Sequence, residues 1–166
     1  MVAELLPFIG WQLRRWREMA ALKNYTTTVS VSQTVSDIHK ALADHGARKV
    51  MFDYDDNGRV LAICFSIITP NGERAVRLPG NAERVRMVLQ RQKADPTRRD
   101  RSKIDASPEQ AERVAWRIVK DWLTAQLAIL ETEMVDVGQV FLPYFVGQNG
   151  QTLYDAYTAG QFRLPE

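Results

Sequence analysis

The residues best suited to chemistry in this chain are a carboxylate cluster, two histidines, one cysteine and a run of arginines and lysines. Asp53-Tyr54-Asp55-Asp56-Asn57-Gly58 matches the first half of an EF-hand calcium loop, where alternate oxygen ligands precede a sharp glycine turn. The match fails at the twelfth loop position, which needs a bidentate Glu and holds Cys64. The flanks read as strands, so the cluster is expected to be an acidic hairpin turn. Asp53 and Asp55 are expected to share a sheet face, but two-metal chemistry needs a second acidic set that is not apparent. His39 and His45 are six apart around a helix end, the wrong spacing for a zinc pair on one face, and no third ligand joins them. Cys64 lies within an apolar run, where a thiol is buried and inert. No phosphate-cradling glycine loop, dinucleotide fingerprint, nucleophile elbow or His-Glu-x-x-His zinc motif is present. The expectation is a protein without catalytic activity, cofactor or metal.

The basic residues are more telling. Arg84, Arg86, Arg91, Lys93, Arg98, Arg99, Arg101 and Lys103 fall within residues 84–103 against only Asp95 and Asp100, a net charge of +6. The whole chain carries +2, so the remainder is at −4. Arginine and lysine neutralise phosphates and release counterions without any required spacing. The expected function is nucleic-acid binding, with single-stranded DNA favoured, through these eight residues. An exposed aromatic such as Trp11 or Tyr54 would stack on bases. The alternative is a solvated loop on a small adaptor or inhibitor of a larger protein, docking through its amphipathic N-terminus and the apolar residues 137–146. Neither reading excludes a homo-oligomer.

The elements that must position these residues are those of one α+β domain. At 45% hydrophobic and 25% charged, 166 residues have an ordinary globular composition and need no staple to fold. A single cysteine excludes an internal disulfide and fits a reducing, cytoplasmic setting. No apolar run is long enough to span a membrane, and the N-terminus does not read as a secretory signal. Residues 1–23 read as an amphipathic helical extension, with Ile9, Leu13, Trp16 and Ala20 on one face, and 24–166 as the domain. Alternation over Tyr25–Val31 predicts a strand. A helix capped by Thr34 and stopped by Gly46 should follow. Lys49–Tyr54, Arg59–Ile68 and Arg74–Leu78, separated by turns ending in Asn57-Gly58 and Asn71-Gly72, predict an antiparallel meander with type I′ turns. Its middle strand is apolar on both faces and should be covered on both.

A second helix is expected from Asn81 to about Lys93, then a basic loop. Ser107-Pro108-Glu109-Gln110 should open a long helix with a capping box, running to about Met134. Its apolar positions cover well over half its circumference, which predicts packing on more than one neighbour and makes Trp116 and Trp122 core residues. Residues 137–146 carry Pro143 and read as an edge strand or extended crossing, and Leu153–Tyr157 as a short helix. The fold class is therefore an antiparallel three- to four-stranded sheet packed against a long central helix and shorter ones. The order helix, three strands, helix is that of a double-stranded-RNA-binding domain, but the second helix lacks that family's Lys-rich start.

Tyr25-Thr26-Thr27, Ala115-Trp116-Arg117, Asp121-Trp122, Ala125-Gln126, Phe141-Leu142-Pro143-Tyr144 and Thr152-Leu153-Tyr154 carry a resemblance to a family of small uncharacterised proteins of bacteriophages and mobile elements. It covers about Tyr25 to Tyr154, with residues 1–18 as an extension. The family has no assigned activity, so the resemblance implies mobile-element biology and transfers no site residue.

Overall fold

The computed structural model describes residues 21–161. The expected helix over 8–22, with Trp11 and Trp16, lies outside them except for its last two positions. Helix α1 spans Val31–Asp44 and starts from Ser30, whose side chain accepts from the Gln33 N–H. Its buried residues Thr34, Ile38 and Leu42 recur every four positions, which is one face of a helix. Gly46, at φ +83°, carries the chain out of the helix end. Strands β1 Lys49–Tyr54, β2 Val60–Thr69 and β3 Gly72–Pro79 then form an antiparallel sheet in that order. Helix α2 is Ala82–Ala94, and a 3-10 turn at Arg101–Lys103 leads to helix α3, Pro108–Glu131. The short helix α4, Val137–Phe141, runs into a 3-10 turn at Leu142–Tyr144, and α5 is Leu153–Thr158.

The pleat of β2 divides the molecule. Ile63 and Phe65 stand opposite Leu78 and Val76 of β3. This inner face packs on Ile38 and Leu42 of α1, on Trp116, Leu123 and Leu127 of α3, and on Phe141. Trp122 meets Phe141 and Tyr144 edge-on, with ring centroids 6.0 and 5.4 Å apart. The outer face carries Ala62, Cys64 and Ser66. Ala62 and Ser66 are nevertheless buried, because the ion pairs Arg77–Asp53 (3.0 Å) and Lys49–Glu73 (3.6 Å) cross over β2 from the strands on either side. The expectation of cover on both faces holds, but one cover is a pair of salt bridges rather than a helix. A second, smaller core of Leu89, Ile104, Ala111 and Val114 joins α2 to α3. Helix α3 thus separates two cores, as its broad apolar arc implies.

Several expectations need correction. Residues 25–31 are not a strand: a turn precedes Thr27, residues 27–30 form no regular structure and have no sheet partner, and Val31 already begins α1. The cap of that helix is Ser30, while Thr34 is buried inside it and donates back to the Ser30 carbonyl (3.1 Å). Residues 137–146 are mostly helical, and only Phe145 and Val146 reach the β3 edge, where the Val146 N–H donates to Ala75 (2.9 Å). Helix α3 ends at Glu131, and Met134 is exposed. In both hairpin turns the glycine alone is left-handed, Gly58 at φ +75° and Gly72 at φ +95°. They are therefore not type I′, and a right-handed turn closed by a left-handed glycine joins the strands instead. Asp53 and Asp55 part company at a register shift after Asp53. Asp53 takes Arg77, whereas Asp55 closes its own turn by accepting from the Asn57 and Arg59 N–H groups. The helix–three strands–helix order is present, but α2 packs on α3, and the sheet's inner face belongs to α1 and α3.

Candidate nucleic-acid interface

The basic segment folds as α2, the loop 95–100 and the 3-10 turn at 101–103. Helix α2 forms because Asn81 accepts from the Arg84 N–H at its start and because Val85, Leu89 and Gln92 give it one inward face. Arg84 and Arg91 are seven residues apart on one flank, two turns and about 10 Å along the axis. Arg86 and Lys93 repeat that spacing on the opposite flank. Ile104, buried between α2 and α3, pins the loop, so Arg99, Arg101 and Lys103 are exposed on an anchored segment.

The eight candidates are not equivalent. Arg84, Arg91, Lys93, Arg99, Arg101 and Lys103 are exposed and form no ion pair among the described residues. Arg98 is different: its side chain is only 12% exposed and clasps Asp100 with two bonds, Nε to Oδ1 at 3.1 Å and Nη2 to Oδ2 at 3.0 Å. That bond holds the Asp100 carboxyl below its usual range. Arg98 is thus a strut of the loop rather than a contact surface. Arg86 is half-buried, lies 3.7 Å from Glu83, and its Nε has no hydrogen-bond partner. The other acids of the segment serve its turns. Asp95 accepts from Thr97 and Asp105 from the Ser107 N–H. Both carboxyls are held low, the first by Thr97 and the second by Ser107.

Helix α3 is entered from this loop. Ser107 accepts from the Gln110 N–H (3.2 Å) and Pro108 occupies the first turn. The capping box is only half made. Gln110 turns inward and donates to the carbonyls of Tyr25 (2.9 Å) and Thr27 (3.0 Å), tying residues 25–27 to α3. The same buried amide accepts from Arg113.

The other chemistry-bearing residues are placed as follows. Cys64 is half-buried beside Asp53, and burial first, then that carboxylate, pushes its thiol up. His45 caps α1, with Nδ1 2.7 Å from the Ala41 carbonyl and Nε2 2.7 Å from Glu131. Tyr54 is 58% exposed. Sequence reasoning passed over Glu112 and Arg59, which share a groove lined by α1, β2 and α3. The signal for Glu112 was present, because it extends the apolar stripe of Trp116, Val119 and Leu123 by one turn with a carboxylate.

Compared with protein-family models, curated proteins and solved structures, the chain matches none of them. Among the described residues no helix is long and apolar enough to cross a membrane.

Proposed function

We propose that this protein binds single-stranded nucleic acid, DNA favoured, as a non-catalytic accessory factor. The observation that carries the reading is the state of the six exposed cations Arg84, Arg91, Lys93, Arg99, Arg101 and Lys103. All lie on one folded segment and none forms an ion pair with a described carboxylate, although Arg101 lies near enough to Asp95, and Lys93 to Asp105, to lower those carboxyls. Such a surface attracts phosphates and gains from counterion release. The preference for single strands rests on Tyr54, an exposed aromatic at the mouth of a groove, since base stacking needs unpaired bases. A mobile-element role belongs to the same proposal and draws on the family resemblance alone.

The test is binding of fluorescent single- and double-stranded oligonucleotides across a salt series. If all six cations meet phosphates, log K should fall against log salt with a slope of about −4, from about 0.7 per phosphate on single strands. Changing Arg99, Arg101 and Lys103 together to Ala should halve that slope. Absence of binding at low salt, or tight binding indifferent to salt, refutes the proposal.

A second reading, a protein-binding adaptor, is supported by Met51, Leu61, Ile68 and Tyr154, large apolar or aromatic side chains that are all exposed. Within residues 137–146 Phe141 is buried and Val137 and Val140 pack against the main core, which leaves Leu142 as the large apolar side chain this segment exposes.

A further inference from the structure

Two cavities of about 350 and 560 Å³ lie where β1 turns into β2. They share Arg59, Val60 and Glu112 as walls and adjoin one another as a groove of two parts. One end opens at the start of α2, beside Arg86, on the flank that also carries Lys93. The other end lies between α1 and the hairpin and is walled by Phe52, Tyr54 and His39.

Two side chains of this groove have unused hydrogen-bonding capacity. Glu112 is half-buried, yet it makes no hydrogen bond or ion pair among the described residues. Its burial pushes the carboxyl up, Arg59 offsets that in part, and the neighbouring Asp55 and Glu109 carboxylates add to it. Arg86 Nε is buried at the other end with no hydrogen-bond partner. A buried donor left without a partner, as Arg86 Nε is, is costly and rare unless a partner is supplied, whereas the Glu112 carboxylate is reached from the groove. The groove therefore offers an aromatic face and an acceptor, and its α2 end, lined by Asp55 and Glu83 as well as Arg86, lies beside the flank that carries Lys93. The ligand that fits is flat, presents N–H groups along an edge and is attached to phosphate.

We propose that the groove receives an unstacked guanine of the bound strand, with Tyr54 against its face and the Glu112 carboxylate accepting from its N1–H and 2-amino groups. A carboxylate only accepts hydrogen bonds. Guanine alone among the four DNA bases places two donors side by side on its pairing edge. Thymine offers one donor between two acceptors, and adenine and cytosine each offer one amino group beside an acceptor. This inference rests on the single-strand reading above and names the base that strand presents.

The experiment compares a dT oligonucleotide with the same oligonucleotide carrying one central dG, using the full chain at low salt. The dG strand should bind at least about five-fold tighter, the lower end of what a two-bond base contact discriminates. Inosine at that position, which lacks the 2-amino group, should lose the preference with the protein unaltered. Glu112→Gln should lose it too, and Tyr54→Ala should weaken dG binding. The Arg99, Arg101 and Lys103 triple Ala variant should weaken both strands while keeping the preference. Equal affinity for the two strands, or a dG preference that survives both inosine and Glu112→Gln, overturns the guanine site and leaves the phosphate reading standing. Failure to bind either strand at low salt overturns both.

Discussion

At the residue scale, Gly80 shows how closely two elements approach. A Cβ added there would lie 2.1 Å from Cζ2 of Trp116, and Trp116 is wholly buried. Gly80→Ala should therefore destabilise the protein by about 1–3 kcal/mol, as overpacking does, which chemical denaturation followed by tryptophan fluorescence would measure. Arg98 offers a contrasting prediction. It belongs to the loop's internal clasp, so Arg98→Ala should lower the melting midpoint while leaving the salt slope of binding unchanged. Arg99→Ala should do the reverse. The difference between these neighbours was not legible in the sequence, where both are one positive charge among eight. It arises because Asp100, two residues on from Arg98, is placed to accept both of its bonds. Caps were easier to read: Asn81 and Ser107 do what their types and spacing implied. Gln110 was read as half of a capping box, because the sequence could not show that the carbonyls of Tyr25 and Thr27 compete for its amide.

At the scale of elements, two contacts fasten α1 to α3 and respond to pH in opposite senses. Lys120 Nζ lies 2.6 Å from Asp37. That bond, then one from Gln33, holds the Asp37 carboxyl below its ordinary value. A group depressed on folding stabilises above its unfolded pKa, and the contribution is lost as pH falls through the folded value. At the other end of α1, the Ala41 carbonyl and then Glu131 raise the His45 pKa. That contribution is complete below the unfolded value of about 6.5 and disappears as pH rises through the folded one. Stability should therefore decline on both sides of weakly acidic pH. Asp37→Asn should flatten the acid limb, and Glu131→Gln the alkaline limb, in thermal melts taken across pH.

Most elements were legible because each carries a local cause, a cap, a glycine or a period. Residues 25–31 misled for a specific reason. Their alternation of β-branched and small residues suits a strand, but residues 25–26 lie in a turn, Val31 begins α1, and no sheet edge lies beside the residues between. Gln110 supplies the hydrogen bonds that such an edge would have given. Residues 137–146 misled in the opposite direction. Asp136 and Gln139 form a reciprocal cap that starts a helix despite Pro143.

At the scale of the whole molecule, α3 bears on everything else. Leu123 is almost fully buried in the main core, while Val114, about two and a half turns earlier on the same helix, closes the second. Leu123→Ala should cost about 3 kcal/mol. A single denaturant transition, seen alike by tryptophan fluorescence and circular dichroism, would show that the two cores unfold together. The charge of the candidate interface was visible in the sequence as composition. The groove was not, because its walls come from α1, the β1–β2 hairpin, α2 and α3, which no local pattern brings together.

The connection of α3 to α1, the two helices that cover the sheet, also bears on how the chain reaches this state. The strands are joined by loops of five and two residues, whereas Lys120 meets Asp37 across 83 residues. A span that long is about four to five doublings beyond these loops and costs about 2.5–3 kcal/mol more in chain entropy to close. The hairpins can therefore pair first, both in refolding and as the chain leaves the ribosome. Until α3 arrives, Ile63, Phe65, Val76 and Leu78 face water on an open sheet. That interval is when this protein is most exposed to aggregation, so a mutation that slows α3 docking should lower soluble yield before it lowers the stability of the finished fold.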